Sequence, residues 1–208
     1  MTCCVLPAAA DTMYSNLGTG NNVYNCCTGW TIFGTGFLGT SFTAANEFQV
    51  NFSSYVFEID VAVGYVAGDN LFYLNIDADN AGQPGAVLAS FTNLSSSTDF
   101  GSCCGLVTVY TGAGPNLSAG TNYWLVIGPM DTTSTTWEAW NFSNSAVGLD
   151  EYSTDGGLTW VNNGIQGQGA FQILGGGCCG TTPEPASLLL FGSGLAGALA
   201  AGYRKTRR

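Results

Sequence analysis

The chain has 208 residues, with 14 acidic and 4 basic side chains and no histidine, and the four cations Arg204, Lys205, Arg207 and Arg208 all stand in its last five residues. Side-chain charge from Met1 to Tyr203 is therefore entirely negative, which excludes nucleic-acid binding through Lys and Arg and disfavours other anionic ligands. A Ser-His-Asp triad, a Cys-His pair, a Schiff-base lysine, a Ser-Lys dyad and His-ligated zinc are excluded as well, leaving carboxylate chemistry: glycoside hydrolysis by an Asp/Glu pair, or calcium held by oxygens.

At the start, Val5-Leu6-Pro7-Ala8-Ala9-Ala10 reads like the tail of a signal peptide, although a basic start and a full apolar run are missing. The expectation is a true start codon upstream and cleavage after Ala10, which would make residues 1–10 a leader remnant and remove Cys3 and Cys4. Residues 11–175 then form one exported domain. It is rich in Gly, Thr, Ser, Asn and aromatics and poor in charge, the composition of an extracellular β-protein.

Strands are expected over Val23–Phe33, Phe37–Asn51, Tyr55–Val66, Leu71–Asp77, Ala86–Leu94, Leu106–Thr111, Asn122–Pro129, Thr136–Phe142 and Ala170–Leu174. Helical periodicity is absent before the C-terminal segment. In the run from Tyr55 to Val63, strict alternation puts Tyr55, Phe57, Ile59, Val61 and Val63 on one face and Glu58 and Asp60 on the wet one. So many short strands predict an all-β, antiparallel two-sheet sandwich, jelly-roll-like, followed by a single C-terminal transmembrane helix.

Asp77-Ala78-Asp79-Asn80-Ala81-Gly82 places oxygens at alternate positions, as at the start of a calcium loop. The later ligands of that loop are missing, so Asp77, Asp79 and Asn80 form a weak calcium candidate and an Asp-Asn turn explains the same letters. No catalytic residue, no metal and no cofactor is expected. Among the tryptophans, Trp124, Trp137, Trp140 and Trp160 could stack on sugar rings, though in a sandwich most tryptophans pack in the core. A glycan-cleaving rival would draw on Glu138, Asp150 and Glu151.

Ser153-Thr154-Asp155-Gly156-Gly157-Leu158-Thr159-Trp160 fits the Asp-box pattern that sialidase propellers repeat. A single copy without any arginine nearby is a turn device: Asp155 should bond turn amides, Gly156 and Gly157 should supply unusual dihedrals and Trp160 should pack beneath.

All eight cysteines come as adjacent pairs, Cys3-Cys4, Cys26-Cys27, Cys103-Cys104 and Cys178-Cys179. Outside the cytoplasm they should oxidise, and bridges between pairs are favoured over strained vicinal ones. Cys26, Cys27, Cys103, Cys104, Cys178 and Cys179 are the disulfide candidates, with connectivity left open and no free thiol expected. Adjacent cysteines fit zinc spacing poorly.

Residues 176–182 read as a flexible glycine-rich tether. Then come Pro183-Glu184-Pro185, the charge-free stretch Ala186–Tyr203 and the basic tail Arg204, Lys205, Arg207 and Arg208. Eighteen helical residues reach roughly 27 Å, just enough to cross a bilayer core, and the positive tail stays on the cytoplasmic side. Residues 183–208 resemble the PEP-CTERM sorting signal of Gram-negative bacteria that make exopolysaccharide. The resemblance implies recognition by an exosortase-like membrane processing enzyme, with the protein anchored in the inner membrane by its helix and then passed to the cell surface or matrix.

Gly29-Trp30-Thr31-Ile32, Asp79 to Gly85 followed by Leu88-Ala89, Leu117 to Val126, and Ala170-Phe171-Gln172-Ile173 together resemble the choice-of-anchor domains, the R type most nearly. That family implies a β-sandwich of unassigned activity and supplies no catalytic residues. The expected function is a non-enzymatic surface or exopolysaccharide-matrix protein, with a glycan-binding or glycan-cleaving module as the alternative.

Overall fold

The computed structural model describes residues 10–112 and 114–176. Residues 1–9 and 177–208 lie outside them, and with them Cys3, Cys4, Cys178, Cys179 and the whole sorting segment. Among the described residues the chain runs through β1 (Asp11–Ser15), β2 (Asn25–Phe33), the single helical turn α1 (Thr35–Leu38), β3 (Thr43–Gln49), β4 (Ser54–Val61), β5 (Val63–Ala67) and β6 (Phe72–Asp79). It continues through β7 (Pro84–Leu94), β8 (Val107–Tyr110), β9 (Asn116–Leu117), β10 (Asn122–Pro129), β11 (Trp137–Ser153), β12 (Val161–Gly169) and β13 (Phe171–Gly175). No helix among the described residues is long and apolar enough to cross a membrane. The expected span, 186–203, lies outside them.

Two antiparallel sheets result. The smaller has the order β1-β13-β4-β8, with β9 also on β4, and the larger the order β12-β11-β3-β10-β6-β7. Strand β11 serves two sets of neighbours: its first half pairs with β2 and β5, and its second half with β3 and β12. Ile32, Phe48, Phe72, Leu74, Ile76, Leu125, Ile127 and Trp140 from the large sheet meet Met13, Val56, Ile59, Val61, Val109, Phe171 and Ile173 from the small one. Each such side chain, fully removed from water, contributes about 1.5–3 kcal/mol before the entropy of ordering is charged against it.

The run from Tyr55 to Val66, expected as one strand, is two strands in different sheets. Ala62 is the switch point. Its N–H donates to the Ala170 carbonyl (3.0 Å), the Ala170 N–H donates to Asn141 (2.7 Å), and the Asn141 N–H donates back to Ala62 (2.8 Å). Ala170 is likewise the residue at which β12 of the large sheet passes into β13 of the small one. Both alanines are fully buried.

The expected face alternation fails in the first half of that run. Pairing with β13 shifts between Glu58 and Val56, a bulge that turns Val56 into the core and leaves Tyr55 and Phe57 only partly covered. Asp60 faces away from the core but is not wet: it is 5% exposed, and Thr108 Oγ1 and Gln172 Nε2, directly opposite on β8 and β13, both donate to it. The span Phe37–Asn51, expected to be all strand, opens with Phe37 and Leu38 in α1. Strands β1, β9 and β12 and the continuation of β11 past Phe142 were not expected.

Candidate functional site

Along β6, Phe72, Leu74 and Ile76 enter the core, so Tyr73, Asn75, Asp77 and Asp79 must project from the opposite face of the large sheet. There Ala45 of β3 and Trp124 and Val126 of β10 build a second, smaller apolar cluster, against which Tyr73, Leu149 and Trp160 pack. Trp160 arrives from the β11–β12 hairpin. That hairpin is the Asp box, and its bonding is as expected: Asp155 Oδ1 accepts from the amides of Leu158 (3.0 Å) and Thr159 (2.9 Å), and Oδ2 accepts from the Thr159 hydroxyl (2.6 Å). The Ser153 hydroxyl donates to Asp155 and accepts from the Gly157 amide, while Gly156 and Gly157 take φ of 78° and 90°. These bonds, led by that of the Thr159 hydroxyl, hold the Asp155 carboxyl down to about 2.

Between this hairpin and strands β6 and β7 lies a cleft of about 510 Å³. Its lining includes Tyr73, Asn75, Asp77, Asn80, Gln83 and Trp160. Asn80 and Gln83 close the β6–β7 hairpin, where Ala81 (φ 56°) and Gly82 (φ 87°) form a left-handed tight turn. Burial pushes the Asp77 carboxyl up to about 6.

The calcium candidate Asp77, Asp79 and Asn80 resolves into separate duties. Asp79 Oδ1 accepts from Trp124 Nε1 (2.9 Å) and from the Gly82 amide (3.1 Å), as an Asp at a turn does. Among the described residues no three acids or cysteines gather as a metal would require.

The three acids of the glycan-cleaving rival are all buried and none lines the cleft. Glu138 is 0% exposed and accepts from the Ser96 hydroxyl (2.8 Å). Asp150 accepts from Asn46 (2.8 Å) and Asn163 (3.1 Å), and Glu151 from Asn162 (2.7 Å). Burial is the leading cause that pushes Glu138 and Asp150 up to about 7. Of the tryptophans considered for stacking, Trp124 and Trp140 are fully buried, Trp137 donates to Thr31, and Trp160 alone of the four lines the cleft.

Of the disulfide candidates, Cys26 and Cys103 are bridged with their Cα atoms 5.5 Å apart, a link between pairs as expected. Cys27 and Cys104 form no bridge with a described cysteine, and the remaining candidates Cys178 and Cys179 lie outside the described residues. In each of the two described pairs, one sulfur is bridged and its neighbour is not.

The hairpin offers a first test. Asp155→Ala should leave the Leu158 and Thr159 amides without their acceptor and raise their hydrogen exchange by about tenfold or more, with the core amides of β10 unchanged. Unaltered exchange at both amides would show that the carboxylate does not hold the turn.

Residues 181–208 match the family described as the PEP-CTERM protein-sorting motif. No curated protein and no solved structure matches the chain, and the resemblance to choice-of-anchor domains finds no support in these comparisons. The chain thus carries the signal of an exported, envelope-associated protein that exosortase, a membrane enzyme, sorts.

Proposed function

We propose that this protein is a non-enzymatic component of the bacterial cell surface or its exopolysaccharide matrix, delivered by its C-terminal signal. The match of residues 181–208 to the sorting motif carries this reading. The segment 186–203 holds the protein in the inner membrane with Arg204, Lys205, Arg207 and Arg208 inside, and an exosortase-like enzyme then acts at Pro183-Glu184-Pro185. The R-type choice-of-anchor kinship of residues 24–175 belongs to the same proposal, and the two-sheet all-β architecture supports it.

A non-catalytic domain is supported by where the acids lie. Glycoside hydrolysis needs two carboxyl groups about 5–9.5 Å apart across a sugar. The cleft presents one carboxylate, Asp77, whereas Glu138, Asp150 and Glu151 are covered and already hydrogen-bonded.

Intact-mass measurement of the surface fraction tests the sorting. The C-terminal residues should be missing from wild-type protein, and replacing Pro183, Glu184 and Pro185 with alanine should leave nearly all of the protein unprocessed. Full-length wild-type protein ending at Arg208 in the mature fraction would reduce the segment to an ordinary anchor.

A further inference from the structure

The cleft beneath the Asp-box hairpin contains polar atoms that no group in the protein satisfies. Asp77 is 4% exposed and its Oδ1 has no hydrogen-bond partner, and the buried Oδ1 of Asn75, two residues earlier on the same face of β6, is also unpartnered. Buried acceptors are normally paired, and these two, on residues that line the cleft, are covered yet have no donor within the protein. The cleft's volume of about 510 Å³ falls within the range of about 300–1,000 Å³ typical of small-molecule sites.

The rest of the lining says what that donor is. An anion is disfavoured, because no cation lies in the domain. A metal ion would find a single free carboxylate, since Asp79 is held by Trp124 and Gly82. A cationic ligand would use the acceptors but leave the side-chain amide donors of Asn75, Asn80 and Gln83 with nothing to bond. A hydroxyl both donates and accepts, so a ligand carrying several of them matches a wall of amides and one carboxylate. Trp160 adds an apolar ring for the C–H face of such a ligand.

We propose that this cleft binds a neutral saccharide, its hydroxyls donating to Asp77 and accepting from the amides of Asn80 and Gln83, with a sugar ring against Trp160. The proposal takes from the matrix reading only the source of the sugar; the site itself rests on β6, β7 and the hairpin.

Affinity electrophoresis of the folded full chain through gels containing a soluble neutral β-glucan, a galactomannan or a neutral galactan tests it. At least one polymer should retard the wild type. Asn80 and Gln83 are exposed turn residues whose truncation leaves the core intact. The double variant Asn80→Ala/Gln83→Ala should bind about tenfold more weakly, as should Trp160→Ala, while Gln166→Ala, outside the cleft, should behave as wild type. Retardation by none of the three polymers overturns the proposal, as does retardation that the double variant leaves unchanged. Calorimetric binding of calcium or of a lysine-rich peptide that the double variant abolishes, with no polymer retained, would replace the saccharide with a cation. A failure of C-terminal processing would leave each of these results standing, and a failure of sugar binding would leave the sorting reading untouched.

Discussion

Urea unfolding should show this domain at its most stable near pH 4–5 and losing several kcal/mol of stability as the pH rises to 7.5. Burial holds Glu138 and Asp150 up at about 7 and Asp77 at about 6, each well above its ordinary value. In that window the native state keeps protons that the unfolded chain has released, so stability is fully present below about pH 4 and drains away as the pH passes through 6 and 7. The shifts are about two to three units, so at about 1.4 kcal/mol per unit each of the three contributes on the order of 3–4 kcal/mol. The net charge of −10 acts in the same direction, because no cation in the domain offsets the repulsion that ionisation adds. Asp155 acts in the opposite sense: hydrogen bonds hold its carboxyl down to about 2, and its support is lost only as the pH falls from about 4 to about 2. Asp131, also held low by hydrogen bonds to Thr133, acts in the same direction as Asp155. Most proteins are most stable at higher pH than this. Glu138→Gln should flatten the slope between pH 5 and 7.5, since it removes one of the groups that must ionise inside the core. A urea midpoint that rises with pH would show that these carboxyls are not buried as described.

Features set by nearby residues were legible in the sequence. The Asp box is a case in point, because the bonds of Ser153 and Asp155 that shape its turn join residues no more than four apart. Strands such as β6 and β10 showed through their aromatic and aliphatic content. What escaped depended on partners far along the chain. Val161–Gly169, rich in Gly, Asn and Gln, has little strand propensity, yet it pairs because the hairpin sets it against β11 and because Gly169 lets Trp140 lie close. The change of sheet at Ala62 has no Gly or Pro to announce it. It becomes visible only once Asn141 and Ala170 are seen to bond with it.

The cleft was half legible. Alternation of Phe72, Leu74 and Ile76 with Tyr73, Asn75 and Asp77 was present in the sequence and would have put one aromatic, one amide and one acid on a single outer face. The spacing Asp77-x-Asp79-Asn80 drew attention to calcium instead, and nothing local revealed that Trp124 already occupies Asp79. Trp160 stood out by its motif, but four tryptophans had to be sorted into core and cleft, and burial is a property of the assembled sheets. The buried state of Glu138 and Asp150 was hidden for the same reason: an acid next to Trp137 or Leu149 looks solvated until Ser96 or Asn46 is brought against it.

Reduction of the Cys26–Cys103 bridge should cost about 4–5 kcal/mol and lower the melting temperature by about 10 °C or more. The two cysteines are 77 residues apart, so the bridge closes a loop that contains β2 through β7, and most of its effect is exerted on the unfolded chain, whose freedom it restricts. In the fold it ties the start of β2 to the segment between β7 and β8, a stretch in which Gly101, Ser102 and Cys103 are exposed and little apolar burial holds the chain. Single substitutions are a poor probe here. Cys27 carries a sulfur 3.9 Å from that of Cys26, and Cys104 carries another next to Cys103, so thiol–disulfide exchange can replace a lost partner with its neighbour. Melting under a saturating thiol reductant avoids that exchange, and a parallel melt of the variant with Cys26, Cys27, Cys103 and Cys104 all changed to serine should give the same lowered value. Equal melting temperatures with and without reductant would mean that β2 and the β7–β8 segment are held by packing alone.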